Sequence, residues 1–326
     1  MKYPKFISKN STIGICAPSA GMGKENEGYD SSKKILKKQG YKIKESSLVF
    51  SPTNPSGKPK KRAKEFNEMI VDKNVDMVMA SCGGDFLFEM IPYTDFESIN
   101  DNPKWVMGAS DPTTLLYTIT CRNDIATIYG HNGGSFEEKF KEKAEDICLG
   151  YLKGNLVRQY SSKKYERGWF EDKRHFDYKT VWKSNKEEIR TSGRIIGGCL
   201  DALDEIIGTK YDYTNDFLNR YKDERIIWYF DIYALNSDNT YRLLWKMKQL
   251  GYFKNTDLVL IGRVCFENEQ GCVTTYEKAY KRAFGNIDYI YEMDIGHTSP
   301  KMTIINGAIC DVRYKNGKGS IGFKLK

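Results

Sequence analysis

The sequence predicts an α/β fold: an N-terminal α/β domain on a parallel sheet, then a smaller C-terminal α/β domain with a mixed sheet. Three observations carry this. In the first half, short apolar runs alternate with charged segments of helical spacing, the rhythm of βαβ units. Glycine turns follow several of the apolar runs, as in Gly83-Gly84. The same alternation resumes after Gly193, beyond a stretch without period.

The elements read in order. A strand over 11–17 ends in the loop Pro18-Ser19-Ala20-Gly21. A helix over 29–39 is stopped by Gly40, a residue that accepts the left-handed conformation common there. A strand follows over 41–46. An amphipathic helix over 60–72 carries Ala63, Phe66, Met69 and Ile70 on one side. The strand 75–81 is broken by Gly83-Gly84 before a helix over 85–91. A strand over 105–107, a turn at Ser110, a helix over 113–121 and a strand over 126–129 complete the pattern, with one charged helix expected over 136–153. The second half reads as a helix over 202–207, a strand over 225–231, and a helix over 238–250 closed by Gly251. Then come a strand over 258–262, a helix over 273–284, a strand over 288–293, and final strands over 303–313 and 320–324. The expected organisation is 1–153, 154–192 and 193–326.

The middle segment, 154–192, lacks period but carries Tyr160, Tyr165, Trp169, Phe170, Phe176, Tyr178 and Trp182. Rings left in solvent are unfavourable, so a lid over a cleft is expected, with Trp169 and Trp182 facing substrate. A solvated linker is the plainer alternative.

Composition excludes several classes. The chain has 326 residues, and no apolar run approaches the ~20 needed to span a bilayer. Met1-Lys2-Tyr3-Pro4-Lys5 leads into polar sequence without the apolar core of a signal peptide, so a cytoplasmic location is expected. Eight cysteines are scattered without a CxxC pair, which suits reduced, buried thiols. With three histidines and no clustered ligands, neither a metal nor a cofactor is expected. The net charge of +8 is dispersed apart from a run over 58–64, and no nucleic-acid motif accompanies it, so solvated helix faces explain it best.

The chemistry concentrates in Lys104-Trp105-Val106-Met107-Gly108-Ala109-Ser110-Asp111-Pro112-Thr113. A serine between a buried strand and a proline-initiated helix is lifted off the sheet. The following backbone N–H groups and the helix dipole face the same space, as a nucleophile and an oxyanion require. A plain capped turn is the competing explanation. Pro112 stands where a G-x-S-x-G elbow has its last glycine, which excludes the α/β-hydrolase pattern. Ser110 and Gly83-Gly84 both fall at strand ends, where sites in parallel sheets lie. His297 follows a strand in Gly296-His297-Thr298-Ser299-Pro300, with His131 its rival as a base and His175 in the middle segment. Asp231 ends Ile226-Ile227-Trp228-Tyr229-Phe230, where burial demands a partner; an imidazole N–H is a suitable one.

Five ordered motifs together resemble the LD-carboxypeptidase family of serine peptidases, which includes the microcin C self-immunity proteins. They are Ile13-Gly14-Ile15-Cys16-Ala17-Pro18-Ser19; Gly83-Gly84-Asp85; Asn102-Pro103-Lys104 leading to Gly108-Ala109-Ser110-Asp111; Gly197-Gly198-Cys199-Leu200 with Gly208-Thr209; and Gly296-His297 before Ile305-Asn306-Gly307-Ala308. The resemblance implies Ser110 as nucleophile, His297 as base and Asp231 as its orienting acid. It also implies an oxyanion hole from the backbone N–H groups of Gly84 and Asp111. Serine in one half and the acid–histidine pair in the other imply a site drawing on both. Asp231 stands where the family usually has Glu. Cys199 stands where it usually has Asn, near substrate in relatives; Gly83 is a further substrate-side position. The implied substrate is a small peptide, cleaved between an L-centre and a terminal D-amino acid of a cell-wall muropeptide. A peptidyl- or aminoacyl-nucleotide is the alternative, with an aromatic stacking on its base. A homodimer is implied, with no nucleic-acid or membrane partner. A binding protein with a decayed triad remains a third possibility.

Overall fold

Apolar runs without polar alternation become strands buried on both faces, and here they form the centres of the two larger of the three sheets among the described residues. The computed structural model describes residues 1–136, 142–168 and 175–326. One unit comprises Met1–Leu156 with Thr303–Gly307; the other comprises Val157–Met302 with Ala308–Lys326.

In the first unit the sheet order is Ile304–Asn306, Thr127–Tyr129, Trp105–Gly108, Met77–Ala80, Thr12–Cys16, Lys42–Glu45. All pairings are parallel except that of Ile304–Asn306. Met77–Ala80, Trp105–Gly108 and Thr127–Tyr129 are wholly buried, whereas the edge strand Lys42–Glu45 alternates exposed and half-buried residues. Helix Glu27–Lys38 starts at Asn26, whose side chain accepts the Tyr29 N–H at 2.8 Å. Helix Pro59–Val71 begins on proline, which needs no N–H partner there. Helix Thr113–Asn123 is buried along most of its length.

The second unit holds an eight-stranded mixed sheet. Its four central strands, Glu188–Cys199, Ile226–Asp231, Thr256–Gly262 and Asp288–Met293, are parallel neighbours. Antiparallel strands flank them: Ile309–Lys315, Lys318–Lys324 and Gln159–Tyr160 on one side, Lys183–Ser184 on the other.

Several expectations are corrected. The strand expected over 303–313 is two strands, Ile304–Asn306 and Ile309–Lys315, in different sheets. The turn between them includes Gly307 at φ +83°. The helix expected over 85–91 is a 3₁₀ segment, Leu87–Tyr93, ended by its internal Pro92. The helix over 136–153 is described as Lys143–Leu152, and residues 137–141 lie outside the described part. Glu188–Cys199 begins before Gly193 and runs through Gly197-Gly198 as one strand. Two helices, Phe96–Asp101 and Thr214–Arg220, went unread because each is too short to display a period. The second unit is not the smaller one, because residues from Val157 onward join it.

Trp182 is corrected as well. Its side chain is only 1% exposed and so faces no substrate. A Cβ on Gly319 would lie 2.4 Å from its ring, which shows how tightly the neighbouring strand closes over it. Trp182→Ala should therefore lower unfolding free energy by about 3–5 kcal/mol, as large-to-small core truncations do. Equilibrium denaturation measures this; a loss below about 1 kcal/mol would contradict a core role.

Candidate active site

In the first unit the parallel strands bring four loops to one edge, where their carboxyl ends lie. Ser110 stands two residues beyond Trp105–Gly108, half-buried, at φ +70°. A non-glycine residue there stores about 1–3 kcal/mol of strain and persists only where its surroundings hold it, as they do here. The Ser110 N–H donates to the Tyr129 hydroxyl at 3.2 Å. The Ala109 N–H donates to the Asn132 side-chain oxygen at 2.9 Å, and the Thr113 N–H closes the turn on the Ser110 carbonyl at 2.8 Å. Gly83 faces the serine closely: a Cβ there would sit 3.1 Å from Ser110 Oγ. Gly84, at φ +151°, leaves no room for a side chain, since a Cβ would lie 2.2 Å from Ser19 Oγ. The Asp111 carboxylate is buried behind the turn. It accepts from Ser19 Oγ and, at 2.9 Å, from the Leu87 N–H, tying the loop after Thr12–Cys16 to the one after Met77–Ala80. Burial pushes the Asp111 carboxyl up to about 6, against the opposing pull of these two donors.

In the second unit Asp231 closes strand Ile226–Asp231 with its carboxylate fully buried. His297 Nδ1 lies 2.7 Å from Asp231 Oδ2. An imidazole N–H donated across that separation can set the tautomer of the ring and leave Nε2 open for proton exchange. Gly296, at φ +102°, is required by the approach: a Cβ there would stand 1.9 Å from Asp231 Oδ1. The Tyr233 ring packs against the imidazole, centroids 4.7 Å apart. Asp201 holds the backbone beneath Tyr233, accepting the N–H groups of Tyr233, Ala234 and Leu235 at 2.9 Å each.

Comparison with known proteins is decisive for the family. Residues 13–130 match the model of the LD-carboxypeptidase N-terminal domain, and residues 192–312 match that of the C-terminal domain. The chain belongs to the LD-carboxypeptidase family. A putative carboxypeptidase of Vibrio cholerae is 26% identical over 331 residues, covering 97% of this chain and 96% of its own length. The microcin C7 self-immunity protein of Escherichia coli is 25% identical over 320 residues, covering 88% and 86%. The solved structure of the latter with glutamyl sulfamoyl guanosine matches the fold with a TM-score of 0.79 at 22% identity, covering 99% of each chain. An immunity-protein-like structure from Bacillus anthracis matches with a TM-score of 0.85 at 22% identity, covering the whole of both chains.

The other expected positions of this family member divide. Cys199 is buried at the end of Glu188–Cys199. Burial, then the charges of Asp231 and Asp201, hold its thiol well above the ordinary range, which disfavours the thiolate. Its sulfur, an Asp231 oxygen and a His297 nitrogen lie within 4.8 Å of one another, a donor set that zinc accepts. However, the histidine and aspartate atoms are 2.7 Å apart, a hydrogen-bond separation. Two ligands on a tetrahedral zinc would stand roughly 3.3 Å apart, given bonds of about 2.0–2.1 Å. His131 is buried and stacked on Phe136, while His175 Nδ1 lies 3.8 Å from Asp177. Trp169 lies outside the described residues. No helix among the described residues is long and apolar enough to cross a membrane.

Sequence reading missed Tyr129, Asn132, Ser19, Asp201 and Tyr233. Their signal was weak, since each simply follows or ends a strand. Arg62 was also hidden, inside the basic run. It is buried, donating to the carbonyls of Pro18 and Phe86 at 2.8 Å and to Glu89 at 2.7 Å.

Asp111 should leave a mark on stability. Its folded value, about 6, exceeds the ordinary 3.8. The neutral acid is thus favoured by folding; its contribution is complete below about pH 4 and lost as pH rises through 6. Asp111→Asn should remove this loss, flattening the melting temperature between pH 4 and pH 7 relative to the parent. Parallel pH curves for the two proteins would contradict the assignment.

Proposed function

We propose that the chain is a serine carboxypeptidase of the LD type, hydrolysing the amide between an L-centre and a terminal D-amino acid of a cell-wall muropeptide. The observation that carries the proposal is the 2.7 Å His297–Asp231 contact in one unit, together with a strained, backbone-held Ser110 in the other. An intact acid–histidine pair argues against a decayed, merely binding protein. In the proposed cycle His297 takes the Ser110 hydroxyl proton as Oγ attacks the carbonyl carbon. Backbone N–H groups of Gly84 and Asp111 meet the tetrahedral oxyanion. The imidazolium gives its proton to the leaving nitrogen, the C–N bond breaks, and the D-amino acid departs. Water, deprotonated by His297, then cleaves the Ser110 ester and releases the shortened peptide. Asp231 orients His297 throughout. A cytoplasmic location and a homodimer go with this proposal; cell fractionation and sedimentation equilibrium test them.

The 25% identity to the microcin C7 self-immunity protein favours one alternative substrate, a peptidyl- or aminoacyl-nucleotide. The Cys199 thiol in place of the family's usual amide makes the substrate side of this chain distinct. Incubation with an LD-tetrapeptide and with an aminoacyl-sulfamoyl nucleoside, product release followed by mass spectrometry, separates the two. Preferred release of D-alanine is the expected result; cleavage of the nucleoside conjugate alone would establish the alternative. A fluorophosphonate should label the protein and fail to label Ser110→Ala. Labelling retained in that variant would overturn the nucleophile.

The orienting acid gives a second check. Asp231→Ala should lower kcat by roughly 10⁴, the scale of acid removal in a well-studied triad, and Asp231→Glu should retain far more activity. Parent-like turnover in Asp231→Ala would show that another group orients His297.

A further inference from the structure

The loop that carries His297 is held from behind by a buried ion pair that takes no part in the proposed proton transfers. Arg263 follows strand Thr256–Gly262, and Asp294 follows the neighbouring parallel strand Asp288–Met293. Their side chains are 2% and 3% exposed, and Nη2 of Arg263 meets Oδ1 of Asp294 at 2.6 Å. The same guanidinium spans the loop. Nη1 donates to the Glu292 carbonyl at 3.2 Å and Nε to the Thr298 hydroxyl at 3.2 Å. One rigid fork therefore grips residues on both sides of His297, including its immediate neighbour. A planar group with several fixed donors can do this; an ammonium cannot. Glu292 itself lies at φ +59°, within the stretch where the pairing of these two strands shifts register, so the loop departs from regular geometry and depends on such support.

Asp294 completes the attachment. Its Oδ1 also accepts from Ser162 Oγ at 2.5 Å, and its Oδ2 accepts the Trp182 indole N–H at 2.9 Å and the Ser162 N–H at 3.1 Å. The Tyr165 ring lies against the Arg263 guanidinium, 4.2 Å away, and the Glu166 N–H donates to the Ser299 carbonyl at 2.8 Å. Four residues between Ser162 and Trp182 thus converge on the back of the histidine loop.

We propose that Arg263 and Asp294 are positioning residues for His297, and that Ser162 and Trp182 act on catalysis through them rather than by covering substrate. The proposal rests on His297 being the base, so its test needs a readout independent of turnover. The chain has only three histidines, so imidazole ¹⁵N labelling yields three ring systems. The one lost in His297→Ala identifies His297, and its Nδ1–H proton reports the Asp231 contact directly.

Arg263→Lys, Asp294→Asn and Trp182→Phe should each broaden or abolish that proton signal at temperatures well below their melting transitions. Trp182→Phe keeps most of the ring volume and removes only the N–H, so it serves where the ion-pair variants do not fold. With the substrate found by the experiments above, kcat should fall by roughly ten- to a hundredfold in Arg263→Lys, the scale of an ångström-sized misplacement, while KM stays within about twofold. An unchanged His297 signal in a folded Trp182→Phe protein, or a raised KM at constant kcat, would overturn the proposal. An inactive parent with the imidazole effects intact would instead refute the proposed reaction and leave the positioning role standing.

Discussion

A carboxylate shut off from water must find its donors inside the protein, and much of the site architecture follows from that constraint. Asp111, Asp231 and Asp294 are each at most 3% exposed. Desolvating an unpaired carboxylate is costly by several kcal/mol, so each is surrounded by groups it can bind. Asp111 gathers two loops behind Ser110, Asp231 takes the imidazole, and Asp294 collects an arginine, an indole, a serine hydroxyl and a backbone N–H. Their aggregate effect is rigidity at the points where chemistry requires it. Apolar packing alone has no direction and could not impose such geometry.

Parallel strands supply the second ingredient. Because neighbours run in the same direction, the residues after their carboxyl ends are gathered along one edge. In the first unit, strand order reverses around Thr12–Cys16, with Lys42–Glu45 on one side and Met77–Ala80 on the other. Ser19 and Gly84, from the loops after Thr12–Cys16 and Met77–Ala80, nearly touch beside that point. In the second unit the same rule puts Cys199, Asp231, Arg263 and Asp294 at or just past the ends of four adjacent strands. Two unrelated-looking stretches of sequence therefore use one device.

Much of this was legible in the sequence because strand ends announce themselves. An acid after five apolar residues, or a serine between an apolar run and a proline, is conspicuous, and the pairing of Asp231 with His297 follows from the demand of a buried charge. Trp182 was misread for a complementary reason. Its segment forms strands only two residues long, such as Gln159–Tyr160 and Lys183–Ser184. A strand that short has no alternation to display, and its burial comes from partners more than a hundred residues away. Arg263 and Asp294 were invisible for the same cause: what matters about each is the other, and nothing local records it. The split at Gly307 likewise depends on which sheet each side joins.

That split affects how the chain can be assembled. The first unit receives its last strand, Ile304–Asn306, from a stretch that follows most of the second unit in the chain, pairing antiparallel with Thr127–Tyr129. During synthesis the N-terminal unit emerges long before this strand does. Until then Thr127–Tyr129 presents an open edge, a template for pairing with other chains. A gene fragment stopping at the boundary near residue 156 would retain that edge permanently. The covalent order thus makes completion of the first sheet wait until the parallel strands of the second unit have been synthesised.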